Sequence, residues 1–155
     1  MTRLTENEGG INLKTLIAMT VVIFMLLTAC GEAAVQGGDC GLSFLEEAGY
    51  EIISLERSGT ITFTEKNLND LPHQQIWAVQ NVEPEYYLNE PLVTCTFTIR
   101  NHPHDIMFDK GVTLVTVLLS GSEVIGGWSS PVASKDTLIG APYSIDGRTA
   151  EEVQN

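Results

Sequence analysis

The second half of the chain has the hydrophobic pattern of an antiparallel sheet. Over residues 93–99 apolar side chains alternate with threonines, which gives a strand one apolar and one polar face. Residues 112–119 are apolar on both faces, as is typical of a central strand. Residues 120–123 predict a tight turn, and residues 124–129 return as a hairpin partner. Gly126 and Gly127 in that return predict a bulge or a close backbone approach.

The first half is predicted to add a hairpin and a short strand. Residues 51–57 are rich in isoleucine and leucine, Ser58-Gly59 has a turn composition, and residues 60–63 are β-branched and aromatic. Residues 76–79 form a short apolar run whose periodicity does not separate strand from helix, and we assign it to a strand.

The helical signals are short. Ser43 and Glu46 form a capping-box pattern that opens a helix ending at Gly49. Thr64 can cap a second helix that Pro72 terminates, and Thr149 a last turn over residues 150–153. The predicted fold class is therefore α+β, an antiparallel sheet of four to five strands with two or three short helices on one side.

An apolar run over residues 16–30 precedes this domain. Arg3 and Lys14 lie on its N-terminal side and small residues close it, as in a secretory signal. The run is shorter than the roughly 20 apolar residues that a spanning helix needs. Its last residues, Leu27-Thr28-Ala29-Cys30, resemble the lipobox of bacterial lipoproteins.

The lipobox resemblance implies a lipid anchor. In that family the cysteine, here Cys30, takes a diacylglycerol thioether and a peptidase cuts just before it. The implied organisation is a signal peptide over residues 1–29, an anchor and flexible spacer over residues 30–42, and one globular domain over residues 43–155. The mature protein would lie on the extracytoplasmic face of the cell membrane, held by acyl chains such as palmitate. The alternative is a single uncleaved membrane anchor.

The charge of the chain excludes one class of partner. The formal net charge is −12, and no basic stripe is present to contact phosphates. We therefore expect no nucleic-acid binding, and acidity of this kind more often serves solubility.

The chain contains three cysteines, of which one is assigned to the lipid anchor and two are left as a possible pair. With Cys30 assigned to the lipid, Cys40 and Cys95 remain as an even pair in an exported protein, where disulfides persist. We predict a Cys40–Cys95 disulfide. The alternative is two separate thiols, with Cys95 buried on the inward face of its strand.

One loop has the composition of a metal site. His102, His104, Asp105 and Asp109 lie within the predicted loop 101–110, and such side chains suit zinc. Pro103 breaks the strand geometry that would align the two imidazoles, so a polar turn with exposed histidines is favoured and no metal or other cofactor is expected. No nucleophile elbow and no phosphate-binding glycine loop is present, so no catalytic residue is predicted.

Aromatic side chains suggest a recognition surface. Tryptophan and tyrosine are favoured at binding hot spots, and five of them lie in or beside predicted loops and strand ends. For the tryptophans, ordinary core packing is the favoured alternative. The predicted patch consists of Trp77, Tyr86, Tyr87, Trp128 and Tyr143.

Several short motifs along the domain stand out: Trp77, Gln80, Asn101-His102-Pro103, Gly126-Gly127, and the segment 143–147 with Glu151-Glu152 after it. Together they resemble a group of uncharacterised small lipoproteins of Gram-positive Firmicutes. The resemblance implies a fold and a location but no activity. We therefore expect a non-enzymatic binding or accessory module at the cell envelope, whose partners are the membrane, through Cys30, and an envelope protein or small ligand. The alternative is a small metal-dependent hydrolase that uses the His102–Asp109 loop.

Overall fold

The structure is a computed structural model that describes residues 39, 41–132 and 140–155. All of them belong to one compact unit, residues 33–155. The predicted signal peptide and Cys30 lie outside the described residues. No helix in the described part of the chain is long and apolar enough to cross a membrane.

The centre of the domain is a four-stranded antiparallel sheet in the order β1-β2-β3-β4. The strands are β1 (Glu51–Thr62), β2 (Pro91–Arg100), β3 (Thr113–Ser120) and β4 (Glu123–Pro131). Short helices surround it, so the predicted α+β fold with an antiparallel sheet is confirmed. The alternating strand is β2, the strand that is apolar on both faces is β3, and the predicted hairpin joins β3 to β4.

Each helix is only one or two turns long. Residues 41–47 form the first, α1. It is followed by α2 (His73–Trp77), α3 (Pro103–Met107) and α4 (Ala150–Gln154), with single 3-10 turns at Asn67–Asn69 and Pro84–Tyr86. Gly49 ends α1 with a φ of 89°, and Thr149 caps α4 through a capping box with Glu152. The C-terminal end of α1 and the N-terminal start of α4 were both predicted correctly.

One face of the sheet carries a continuous apolar core. The inward positions of β2 and β3 alternate strictly, because side chains two residues apart share a face. Leu45 of α1 packs on this face and is fully buried, with Leu42 beside it. The buried members are Leu45, Cys95, Phe97, Ile99, Val115, Val117 and Leu119.

The opposite face has a smaller core at one end. Ile76 and Trp77 of α2 pack there against Leu92 and Leu118, with Phe63 beneath them. Along the same face Thr96 and Thr116 are buried and share a hydrogen bond of 2.9 Å. The helices therefore cover both faces, and not the single face that was expected, because Leu92 of β2 and Leu118 of β3 form an apolar area on the second face.

The predicted hairpin within residues 51–63 is wrong. Residues 51–62 form one long strand, and the expected turn residues Ser58 and Gly59 pair with Cys95 and Thr94 of β2. The strand instead bends at two register shifts, between Ile52 and Ser54 and between Leu55 and Arg57. Pairing along the whole of β2 satisfies more backbone groups than a turn at this point would.

Other local predictions also change. Thr64 accepts a hydrogen bond from the Asn67 N–H, but only a 3-10 turn follows, and Pro72 precedes a helix where it was expected to end one. Residues 76–77, predicted as strand, belong to α2. Residues 41 and 42, assigned to the spacer, are already helical, and a Cβ on Gly41 would lie 3.3 Å from the Phe97 ring. The predicted loop 101–110 contains α3.

Candidate functional site

A groove lies against the outer edge of β4. Its volume is about 280 Å³. Four separate segments line it: the end of α1 with Tyr50, the residues after α2, the middle of β4, and the loop of residues 143–148. We call this cavity the β4 groove and its last lining segment the 143–148 loop. Phe44, Ile125 and Ile145 give it apolar walls, whereas Asp146 and Arg148 place charges at it.

The floor of the β4 groove is built from Gly126 and Gly127. Their φ angles are 157° and 156°, a backbone conformation that L side chains rarely adopt. A Cβ on Gly127 would lie 2.2 Å from the carbonyl oxygen of Thr116, and one on Gly126 would lie 2.2 Å from Oε1 of Gln80. The β3–β4 register shifts at the same place. The predicted bulge and close approach are both present.

Gln80 pairs with this strand edge through its side-chain amide. Oε1 accepts the Gly127 N–H at 2.8 Å, and Nε2 donates to the Gly127 carbonyl at 3.0 Å and to the Ile76 carbonyl at 2.7 Å. Gln80 is buried. One side chain therefore replaces the two hydrogen bonds that a neighbouring strand would make with Gly127.

The 143–148 loop forms one wall of the β4 groove and is tightly bonded within itself. Ser144 donates to Asp146 Oδ1 through its hydroxyl, and Arg148 Nε donates to Asp146 Oδ2 at 2.8 Å. Burial alone would raise the pKa of Asp146, but the hydrogen bonds from Ser144 and Arg148 and the charge of Arg148 lower it overall. Backbone hydrogen bonds between Tyr143 and Ser129 join the loop to β4.

Two buried histidines hold this loop from the other side. His102 Nε2 lies 2.8 Å from the Ile145 carbonyl, and His104 Nε2 lies 3.3 Å from the Gly147 carbonyl. Only 2 % of His102 and 0 % of His104 is exposed. We call His102, His104 and these two carbonyls the histidine clasp. The expectation of exposed histidines in a polar turn is wrong, because the loop covers both rings.

The clasp is also part of α3. His102 precedes the helix, and its Nδ1 accepts the backbone N–H of His104 at 3.1 Å. Asp105 accepts the His102 N–H at 3.2 Å and the Thr113 hydroxyl at 2.7 Å. Burial is the main cause that lowers the pKa of His102, and burial with the neighbouring His102 ring lowers the pKa of His104.

The weak metal candidates are not arranged as a ligand set. Three of the four imidazole nitrogens face backbone groups, both Asp105 oxygens accept hydrogen bonds, and Asp109 is exposed at the end of α3. Across residues 41–132 and 140–155, no group of three or more histidine, cysteine or acidic side chains could hold a metal ion.

Among the described residues, Ser129 is the serine whose hydroxyl lies beside a histidine of the clasp. Its Oγ lies 3.5 Å from Nδ1 of His104, a distance typical of a nucleophile and its base in a loose arrangement. However, Ser129 is fully buried and its hydroxyl donates to the Ser144 carbonyl at 2.7 Å. A substrate has no access to it, so the pair supports the loop rather than a reaction.

The predicted aromatic patch is divided between two places. Trp77, Tyr87 and Trp128 belong to the core on the α2 face, and Tyr86 is exposed beside them. Tyr143 packs on His104 with ring centroids 4.3 Å apart. The structure therefore does not bring the five aromatic residues together as one exposed surface.

Of the three cysteines for which a role was predicted, only Cys95 lies among the described residues. Cys95 is buried, its Sγ lies 3.7 Å from Ser58 Oγ, and no cysteine among the described residues is bonded to it. Its predicted partner Cys40 lies outside the described residues, as does Cys30. Gly41, which follows Cys40, packs on Phe97 and on Val117, the register partner of Cys95. The Cys40–Cys95 disulfide stays a prediction.

Comparison of the chain with protein-family models, curated proteins and solved structures finds no match. The resemblance to small Firmicutes lipoproteins therefore stays a prediction. Its motifs do meet in space, since Gln80 contacts Gly127 and the two histidines contact the 143–148 loop.

Sequence reasoning missed the groove itself. Phe44, Tyr50 and Arg148 were not singled out as site residues, because their proximity depends on segments about a hundred positions apart. The available signal was the pair Gly126-Gly127, which indicated a close approach but not its partner.

Proposed function

We propose that this protein is a lipid-anchored, non-enzymatic binding module on the extracytoplasmic face of the membrane, and that its ligand or partner binds in the β4 groove. The observation that carries the proposal is the composition of the groove. Apolar walls with a few converging polar groups, held by rigid elements, are the usual form of a binding site. Here Phe44 and Tyr50 supply aromatic surface, and Asp146 with Arg148 supplies both signs of charge.

A hydrolytic function has less support from the same residues. Three of the four imidazole nitrogens of the histidine clasp face backbone groups, and Ser129, which faces the fourth, is enclosed. Catalysis would require these buried contacts to break in every cycle. Binding in the groove requires no such change.

The proposal is tested by site-specific photo-crosslinking on living cells. A benzophenone amino acid replaces Phe44, which lines the groove and is 37 % exposed. The control carries the same probe at Tyr86, which is 77 % exposed and lies outside the groove. We expect adducts at position 44 that are absent at position 86, and their mass separates a small ligand from a protein partner.

A second variant tests the groove as the place of binding. Ala48 is exposed and lines the groove, so Ala48→Trp should fill part of its volume and reduce the adducts at position 44. Equal labelling at positions 44 and 86, or labelling that Ala48→Trp leaves unchanged, would contradict the proposal.

The anchor is tested separately. Cys30→Ala should leave an unprocessed precursor that incorporates no labelled fatty acid. Maturation of this variant to the normal size with normal lipid uptake would remove the lipoprotein part of the proposal.

A further inference from the structure

His102 occupies a position that only its neutral form satisfies. Its Nδ1 accepts the His104 N–H at 3.1 Å, so this nitrogen carries no proton. Its Nε2 lies 2.8 Å from a carbonyl oxygen, that of Ile145, so this nitrogen carries the proton and donates. A second proton could bind only at Nδ1, where it would face the N–H that Nδ1 now accepts.

His104 differs from His102 in this respect. Its Nε2 faces the Gly147 carbonyl at 3.3 Å, and its Nδ1 faces Ser129 Oγ at 3.5 Å. Both of these oxygens can accept a hydrogen bond. Protonation of His104 would therefore break no hydrogen bond, and within the histidine clasp His102 is the proton-sensitive member.

The charged and titratable groups around His102 come from each element packed against it. Asp105 belongs to α3, Asp146, Arg148 and Tyr143 to the loop, and Tyr50 lies before β1 with its ring centroid 5.5 Å from that of His102. Burial opposes a charged His102, whereas the hydrogen bond to the Ile145 carbonyl and the carboxylates of Asp105 and Asp146 favour it. The His104 ring lies 4.6 Å away. Both Asp146 oxygens already accept hydrogen bonds, from Ser144 and Arg148.

We propose that protonation of His102 releases the 143–148 loop from α3 and thereby opens one wall of the β4 groove, so that occupancy of the groove is acid-sensitive. Its last step rests on the proposed function, but release of the loop is measured without any ligand. The loop would stay joined to β4 through Tyr143 and Ser129, so that its outer part, around Ile145 and Gly147, is the part that moves.

The direction of the pH effect follows from the linkage between proton binding at His102 and release of the loop. Burial lowers the pKa of His102 in the closed loop below the ordinary value near 6.5, and release exposes the ring. The released state therefore binds the proton more tightly than the closed state, and release becomes more favourable as pH falls below about 6.5. If the closed state takes up no proton, the equilibrium shifts toward release by up to about 30-fold between pH 7.5 and pH 5.

Amide hydrogen exchange of the full chain, purified in detergent, measures this shift. After correction for intrinsic exchange rates, protection of residues 144–148 should fall by up to about 30-fold from pH 7.5 to pH 5. The amides of β3 lie in the centre of the sheet and serve as the internal reference, whose protection should change far less.

Two histidine variants separate His102 from general acid effects. His102→Asn retains an acceptor before α3, because asparagine caps helices well, but it lacks the titrating ring. We expect its loop protection to be lower at neutral pH and nearly independent of pH. His73→Asn is the matched control, since His73 lies in α2 and should leave the wild-type pH dependence intact.

Unchanged loop protection in the wild type between the two pH values would overturn the proposal, as would a pH dependence that persists in His102→Asn. If His102→Asn also loses β3 protection, the wild type decides the question by NMR of ¹³C-labelled histidine, where the His102 titration must coincide with loop release. Acid-dependent release without adducts at position 44 would contradict the proposed function alone, and adducts without release would contradict the clasp alone.

Discussion

The two edges of the sheet are protected in different ways. At the β4 edge, residues distant in sequence cover the strand: Gln80 pairs with Gly127 through its amide, and Tyr143 pairs with Ser129 through its backbone. At the β1 edge, no other strand among the described residues pairs with the outer side. Most side chains of β1 are exposed.

The protection of β1 is local. Two register shifts bend the strand, and Glu56 beside the second accepts hydrogen bonds from Ser54 at 2.5 Å and Thr98 at 2.6 Å. Arg57 reaches Thr96 from the same region. Bulges and charged side chains are the usual means by which an exposed edge avoids pairing with another chain.

The two edges should therefore differ in how well they tolerate substitutions. A change at the β1 edge affects neighbours in the same strand, whereas a change at the β4 edge affects α2, the 143–148 loop and the β4 groove together. We therefore expect substitutions at the β4 edge to reduce stability strongly, and substitutions at the β1 edge to change association rather than folding.

Gly127→Ala is expected to have the largest effect. The new Cβ would lie 2.2 Å from the Thr116 carbonyl and 2.8 Å from Ile145 Cδ1, on a backbone that favours glycine. Overpacking and backbone strain together should cost at least about 3 kcal/mol of the free energy of unfolding, measured by chemical denaturation. Gly140→Ala is the control, since no atom of the described residues lies within 4 Å of its Cβ position. Equal stability of the two variants would contradict the close approach.

Gln80→Leu should have the next largest effect. It leaves the N–H and carbonyl of Gly127 and the carbonyl of Ile76 without the side-chain partners they now have. Buried polar groups that lose a partner cost about 1–3 kcal/mol each, so the three groups together should cost roughly 3 kcal/mol of the free energy of unfolding, the lower end of their sum. Gln74→Leu, on the exposed side of α2, should change it by less than about 0.5 kcal/mol. A neutral Gln80→Leu would show that the amide does not support the edge.

The pH dependence of stability should distinguish the two edges further. The pKa values of His102 and His104 are lowered in the folded state by burial, so the unfolded chain binds protons more tightly. The contribution of these two histidines to the stability of the folded state is complete above pH 6.5 and is lost as pH falls below it. Denaturation midpoints should therefore decrease from pH 7.5 to pH 5, and less so in His102→Asn than in His73→Asn. A higher midpoint at pH 5 would reverse the sign and contradict the assignment.

Glu56→Val with Arg57→Val should have the smallest effect on folding. Both side chains lie on the exposed edge strand, so the free energy of unfolding should change little. The loss of two charges at the β1 edge should instead promote association, seen as a shift to larger species in analytical ultracentrifugation. Glu65→Val with Lys66→Val removes the same charges from an exposed loop and should stay unchanged. Association of both double variants to the same extent would mean that hydrophobicity, and not the strand edge, is responsible.

Local patterns were sufficient for part of the fold. The alternation around Cys95 and Phe97 determined β2, and the apolar run through Val117 determined β3, because a strand presents a fixed period of two to any core. Thr149 and Glu152 determined the start of α4, since a capping box is complete within four residues. The antiparallel sheet was predictable for the same reason.

Tertiary structure decided what these patterns left open. Ser58 and Gly59 became strand because β2 offered pairing partners, and Ile76 became helical because α2 packs on Leu92 and Leu118. The β4 groove and the histidine clasp depend on contacts between residues that are far apart in sequence. Gln80 finds Gly127 after 47 positions, and His102 finds Ile145 after 43. A polar side chain is buried only where a distant backbone group satisfies it, so its role follows from the folded arrangement and not from its neighbours in sequence.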